Sequence, residues 1–425
     1  MEKHNKALIF IFMILVLFDN LLVDFLGVPS AVRYINDIIL LLILFSCMKA
    51  IRPTLQRTGT MSIVIAMFFY SLMLIPGLVI NGGSLLLILW AVRNTYRFFA
   101  FYIVCICILD REDIIRILEM FCWFQHLNLA LCLFEYFILG KTRDYLGGMF
   151  GISKGCNAYL NVYLCIILSY VIYKYLKEKA STGYMLYILL STMLIAGLAE
   201  LKILFIEIVV IMAIAMLMNR KEKRIRTLLI FGIASIVVGL IALLVVAPEH
   251  FKVLMDPKKL VAYASSEDGG YYLSRFHAFS NINQLFFRGD WLLNLFGMGF
   301  GNCEYSSFSF LQSSFYKEYG QYNYRWFMHQ VLFLESGYAG LLSYIGILAA
   351  VLFNAGKRRR EDQEGAIIHG IVIVMCVIAV ISIWYNSSMR MECAYMIWPV
   401  LAGSAVANKN VKRMGLKGAD RYRRE

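Results

Sequence analysis

Charge and proline are what this chain has least of. Only 16% of its residues are charged and six are proline, against 60% hydrophobic residues and a mean hydropathy of +0.68. No soluble core can hide that much apolar surface, so the composition excludes a soluble globule and points to a polytopic helical membrane protein. A signal-peptide cleavage site is also missing. The first apolar run, Ala7 to Gly27, follows Lys3 and Lys6 but carries Asp19 and Asp24 and no small-residue site, which predicts a retained first helix. Metal spacing is absent from the ten cysteines, most of which fall inside apolar runs; only Cys156 and Cys303 lie near loops, and whether they pair is left open. No internal repeat is evident, which argues against transporters built from two similar halves.

What is present is a series of membrane-length runs. About twenty apolar residues cross the hydrocarbon as a helix. Candidates lie at about 7–27, 33–50, 60–80, 84–109, 114–139, 156–176, 183–200, 201–218, 227–247, 328–353, 366–386 and 389–407. The expected fold is therefore all-α, a bundle of about 12 transmembrane helices with both termini on one side. The division between the seventh and eighth runs is the weakest, because Ala199-Glu200-Leu201-Lys202 leaves almost no turn, and a broken or re-entrant pair is the alternative. With the N-terminus inside, 26 of the 41 cations fall on the inner side, which fixes the orientation by the positive-inside rule. The net charge of +13 is then mainly a topology signal and requires no nucleic acid. Four regions follow: an N-terminal bundle of about nine spans (1–247), a large extracytoplasmic loop (248–327), three further spans (328–407) and a basic cytoplasmic tail (408–425).

The loop, Pro248 to Phe327, is the one long interruption of hydrophobicity. Arg275, Arg288, Arg325 and His329 lie in or beside it, on the face opposite most other cations, and need an anionic partner. Arg93 and Arg97 sit at i and i+4 within the fourth run and share a helix face. An intramembrane charge costs about 2.5–3.5 kcal/mol, so the pair is a functional candidate. One reading buries it against Glu119, Glu135 or Glu207; the other makes it a basic site for a diphosphate, which the arginine fork suits. Glu200 and Lys202 form either a local ion pair at a helix end or, through Lys202, a second phosphate contact. Glu207, deeper in the bundle, is expected to balance an interior arginine.

Several stretches follow one another in an informative order. They are Leu146-Gly147-Gly148-Met149-Phe150-Gly151 with Asn157 opening a span, then Glu200-Leu201-Lys202, then Ser274-Arg275-Phe276. Phe296-Gly297-Met298-Gly299-Phe300-Gly301-Asn302 comes next, and then His329-Gln330 with Glu335-Ser336-Gly337. Together they resemble the bacterial O-antigen polymerase and ligase family, in particular the Wzy-type polymerases of capsular and exopolysaccharide systems. The resemblance covers most of Leu146 to Leu342; the first five spans match only in character. Lys202 stands where many members have arginine, keeping the charge without the fork. Gln330 replaces the usual asparagine, and His329 lies about one helical turn closer to Glu335 than the family's histidine usually does.

The resemblance implies a GT-C-like membrane glycosyltransferase, with a glycan on undecaprenyl diphosphate as donor and a sugar hydroxyl on another lipid-linked unit as acceptor. It implies no nucleotide sugar, metal or other cofactor. Its partners are undecaprenyl-diphosphate-linked glycans, membrane lipids, and the flippase and chain-length regulator of the same pathway. Diphosphate ligands are expected among Arg93, Arg97, Lys202, Arg275, Arg288 and Arg325, with Arg275 also stabilising charge as the glycosidic bond breaks. His329 is the candidate general base, and Glu304 and Glu335 are its rivals. His250 and His277 read as ordinary loop histidines, and Glu267-Asp268 as a turn before Gly269-Gly270.

The loop is dense in aromatics, including Tyr263, Tyr271, Tyr272, Trp291, Tyr305 and Tyr316. Aromatic rings stack on sugar faces, but they also form interfacial belts. Gln312 to Trp326 is the best carbohydrate-contact segment, through Gln312, Tyr322, Asn323, Tyr324 and Trp326. An O-antigen ligase shares this architecture. A lipid-linked oligosaccharide flippase would instead place charges along a central path.

Overall fold

The computed structural model describes residues 2–259, 261, 273–362 and 364–422. Tyr263, Tyr271, Tyr272 and the acidic turn at 267–268 lie outside the described residues. The described chain is all-helical, with no strand. Its long helices are α1 (Glu2–Leu26), α2 (Tyr34–Thr58), α3 (Met61–Asn81), α4 (Leu85–Ile108), α5 (Arg111–Phe137) and α6 (Cys156–Leu176). After these come α7 (Thr182–Leu198), α8 (Lys202–Met218), α9 (Ile225–Val246) and the short α10 (Pro248–Met255). The loop carries α11 (Ala278–Ile282), α12 (Trp291–Phe296) and α13 (Ser314–Tyr319), and α14 (Met328–Glu361), α15 (Ala366–Tyr385) and α16 (Ala394–Tyr422) close the chain.

A helix coincides with each expected run. Among the described residues nine of these, α1 to α6, α9, α14 and α15, are long and apolar enough to cross a membrane. The helices α7 and α8 have 17 residues each and are separate, because the turn between them is closed by Glu200 in the left-handed region (φ 53°). Helix ends follow the local chemistry. Asp110 and Asp113 form a capping box at the start of α5, and the Ser181 hydroxyl accepts the Tyr184 N–H at the start of α7.

The most apolar stretch of α6 is 89% buried, so α6 is the central helix; that of α9 is only 22% buried and lies at the periphery. Phe45, Phe68, Val79 and Val245 are exposed along α2, α3 and α9. Such continuous apolar flanks require lipid as their solvent. Within the loop a second core forms from Leu273, Ile282, Phe287, Phe315 and Tyr324, packed on Val331, Phe333 and Leu334 of α14.

Candidate functional site

The glycine motifs place the site. Gly337 breaks α14 with φ 58° and ψ −160°, a conformation essentially confined to glycine. The break exposes carbonyls that the loop uses: the Met298 N–H donates to Leu334 O at 2.7 Å and the Gly299 N–H to Glu335 O at 3.1 Å. A Cβ at Gly297 would collide with the Ser336 amide, one at Gly337 with the Leu295 backbone, and one at Gly301 with Leu87 O of α4 at 2.8 Å. The Gly-x-Gly-x-Gly and Glu-x-Gly stretches are therefore two halves of one backbone joint that ties the loop to α14, α3 and α4. The 147–151 stretch is a second anchor. The buried Glu135 carboxylate accepts the Gly147 and Gly148 N–H groups at 3.0 and 2.7 Å, while Asp24 accepts those of Ile152 and Ser153.

Residues that follow these anchors in the chain, among them Lys154, Gly155, Cys303 and Glu304, line a cavity of about 1340 Å³. Arg33, Arg93, Arg97, Arg143, Lys154, Lys202, Arg275, Arg325 and Arg390 line it, against the carboxylates Asp144, Glu200, Glu304 and Glu392. Among the described residues the wall thus has nine cations and four carboxylates, a surplus of five, or four once Asp37 behind Arg93 is counted.

The arginines of α4 have partners other than those expected. Arg93 pairs with Asp37 of α2 at 2.5 Å, and Arg97 with Glu392 of the α15–α16 connection at 3.0 Å. Glu119, Glu135 and Glu207 are occupied elsewhere: Glu119 by Lys174, Glu135 by backbone amides, and Glu207 by Asn161 and Cys165. Glu207 therefore balances no arginine. Burial alone would raise the Glu392 carboxyl, but Arg97 beside it more than offsets this and carries it down to about 2. Tyr159 donates to its other oxygen at 3.1 Å. Arg390 pairs with Glu304, whose second oxygen accepts the Asn94 amide at 3.1 Å. The pair keeps Arg390 charged despite burial, which would otherwise lower its pKa.

Elsewhere on the wall Glu200 takes Arg143 at 3.2 Å and His250 at 2.7 Å. Lys202, only 8% exposed, borders the cavity beside them. Towards the loop, the Arg275 guanidinium lies over Phe327 and Tyr385 at 4.6 and 4.7 Å, Arg325 over Tyr305 at 4.0 Å, and Lys154 over Trp326 at 5.0 Å. Cations held on aromatic rings leave ring edges and N–H donors beside each other, a surface suited to an anion carrying sugars.

Of the residues expected at the site, Arg93, Arg97, Lys202, Arg275, Arg325, Glu304 and Trp326 line this one cavity. The others do not. His329 is fully buried, stacked on Trp384 at 4.4 Å with its Nδ1 at 3.3 Å from Ile383 O. Met328 at the start of α14 is tied to Asn386, so His329 faces α15; Val331, about 200° further round the helix, borders the cavity instead. Glu335 is buried behind the wall, where one oxygen accepts the Cys303 N–H at 3.2 Å. Arg288 is exposed in a left-handed turn away from the cavity. Tyr324 is buried in the loop core, donating to Cys303 O at 2.7 Å, and Gln312, Tyr322 and Asn323 also lie off the wall. His277 is exposed and off the wall as well, whereas His250 is part of it. Cys156 and Cys303 are free thiols.

Arg33, Asp37, Arg390 and Glu392 were not singled out from the sequence, although the signal was there. They are charges at the ends of apolar runs, the same anomaly that marks Arg93 and Arg97. Arg143, Lys154 and His250 carried no such signal, because they sit in polar connections. Comparison with known protein families gives no match, and comparison with curated proteins gives none either.

Proposed function

We propose that the chain is a repeat-unit polymerase, a membrane glycosyltransferase that joins undecaprenyl-diphosphate-linked oligosaccharides into a surface polysaccharide. The supporting observation is the cationic surplus, counted over the described residues, of a cavity of about 1340 Å³ at the end of the bundle opposite the Lys/Arg-rich connections. Small-molecule pockets run to about 300–1,000 Å³, so this one has room for a diphosphate with attached sugars. In this reading the cavity lies on the outer face of the cytoplasmic membrane with both termini inside, an orientation the positive-inside rule supports, and about twelve spans form a GT-C-like bundle.

In this reading Arg275, Lys202 and Lys154 stabilise the charge that grows on the departing diphosphate, and Trp326 and Tyr305 border the space for the glycans. Arg93, Arg97 and Arg390, each matched by a carboxylate, hold the wall in shape and add field. Two lipid-tethered reactants held in one cavity react as if intramolecular.

The test uses protein in nanodiscs with lipid-diphosphate-linked repeat units from the source strain, the products being separated by gel. Wild type is expected to give a ladder without nucleotide sugar or metal, and Arg275→Ala to lower the rate about 10²–10³-fold, the scale of losing one charge-stabilising donor. A folded wild type that yields no ladder overturns the polymerase reading. Transfer to lipid A core in place of a repeat unit identifies a ligase.

A further inference from the structure

Building on the glycosyl-transfer reading of this cavity, we propose that His250, oriented by Glu200, is the base that takes the proton from the acceptor hydroxyl. The other wall carboxylates are engaged at one or both oxygens, Asp144 by the Asn157 amide at 3.0 Å. Glu392 serves Arg97 and Tyr159, and Glu304 serves Arg390 and Asn94, so both oxygens of each are in use. His329 and Glu335 do not reach the wall.

His250 approaches Glu200 Oε2 through Nε2 at 2.7 Å. A carboxylate at this distance favours the tautomer with the proton on Nε2, which leaves Nδ1 as the accepting nitrogen. Its side chain is 23% exposed at the wall. The charged groups facing it are Glu200 from the α7–α8 turn, Lys202 of α8, Arg143 of the α5–α6 connection, and Glu249 on its own helix. Burial, then Lys202 and Arg143, hold its pKa below 6.5, while Glu200 and Glu249 pull the other way. The imidazole is thus neutral at neutral pH and able to accept.

The support is built under strain. Arg143 and Glu200, the ion pair beside His250, are two of the five non-glycine residues with left-handed φ among those described. Such conformations persist only where the surroundings over-determine them, and they cluster at functional sites.

The step balances. The acceptor oxygen bonds to the anomeric carbon as the bond from that carbon to the diphosphate oxygen breaks. The electron pair leaves on the diphosphate, and the hydroxyl proton passes to His250 Nδ1. Glu200 stabilises the imidazolium, which returns the proton to solvent after product leaves.

The experiment measures kcat and KM from pH 5 to 8 on full-length protein in nanodiscs, with the repeat-unit substrate used above. His250→Gln is expected to lower kcat about 10²–10⁴-fold with KM within about threefold, and to lose the acid limb of the kcat profile. Glu200→Gln keeps the histidine but removes a carboxylate that raises its pKa, so the limb should move to lower pH while kcat falls about tenfold. That shift is one a merely structural role would not produce, and it remains readable if His250→Gln fails to fold. Retention of kcat within about threefold in His250→Gln overturns the proposal, as does an unmoved limb in Glu200→Gln. Transfer of the limb to the neighbouring wall carboxylate, seen as its loss in Asp144→Asn, also overturns it. An inactive wild type overturns the glycosyl-transfer reading itself, whereas an active His250→Gln overturns only the assignment of the base.

Discussion

At the scale of single residues, the cavity wall is built around charges paired between distant segments of the chain. Arg97 is 6% exposed and Glu392 17%, and neither has enough water to stand alone. Glu392→Gln leaves the buried Arg97 guanidinium with Asp37, 4.0 Å away, as its remaining carboxylate among the described residues, and removing one partner of a buried pair costs up to about 3–5 kcal/mol. The sign of its pH dependence follows from the folded carboxyl lying at about 2, below its ordinary 4.5. A depressed carboxyl contributes stability above the unfolded value and loses it as pH falls through the folded one. Thermal unfolding of wild type and Glu392→Gln in detergent should therefore differ by a constant amount from pH 8 to 5. The gap should close between about pH 4.5 and 2, as the wild-type carboxylate takes its proton. A gap that persists unchanged at pH 2 would mean that Arg97 is held by something other than this carboxylate.

At the scale of elements, the joint between the loop and α14 decides whether the cavity has its loop-side wall. Glycine at 337 does two things: it takes a φ/ψ that other residues avoid, and it lets the Leu295 backbone approach where a Cβ would stand. Gly337→Ala should therefore cost more than a simple helix substitution, about 2–3 kcal/mol or above, and release the loop from α14. Gly346, two and a half turns further along α14, has nothing within 4 Å of a Cβ and helical dihedrals. Gly346→Ala should be neutral or stabilising by up to about 1 kcal/mol. Limited proteolysis across residues 273–327 reads the difference: faster cleavage is expected in Gly337→Ala alone. Equal cleavage in both variants would show that the loop core around Phe287 and Phe315 holds without the joint.

At the scale of the whole molecule, the helices were legible and the site was legible only in part. Hydrophobic runs reveal helices because twenty apolar residues have one economical conformation in lipid, and every expected run carries one. Arg93 and Arg97 were legible as charges in the wrong solvent, but not their partners, since Asp37 and Glu392 lie 56 and 295 residues away along the chain. His329 misled because a helix start signals position and not which face is covered, and the loop core and α15 cover it. Orientation rests on charge asymmetry alone, and the cysteines allow it to be measured. All ten are free thiols, nine of them buried and Cys107 half-buried, so the native chain should react weakly with a membrane-impermeant maleimide. Lys317 lies exposed in α13 at the cavity end, and Lys221 at the α8–α9 connection on the opposite end. In intact cells Lys317→Cys should label at once, and Lys221→Cys only after permeabilisation. The reverse pattern would put the cationic cavity in the cytoplasm, where its surplus charge would face nucleotides and not an exported lipid diphosphate, and the polymerase reading would fall with the topology.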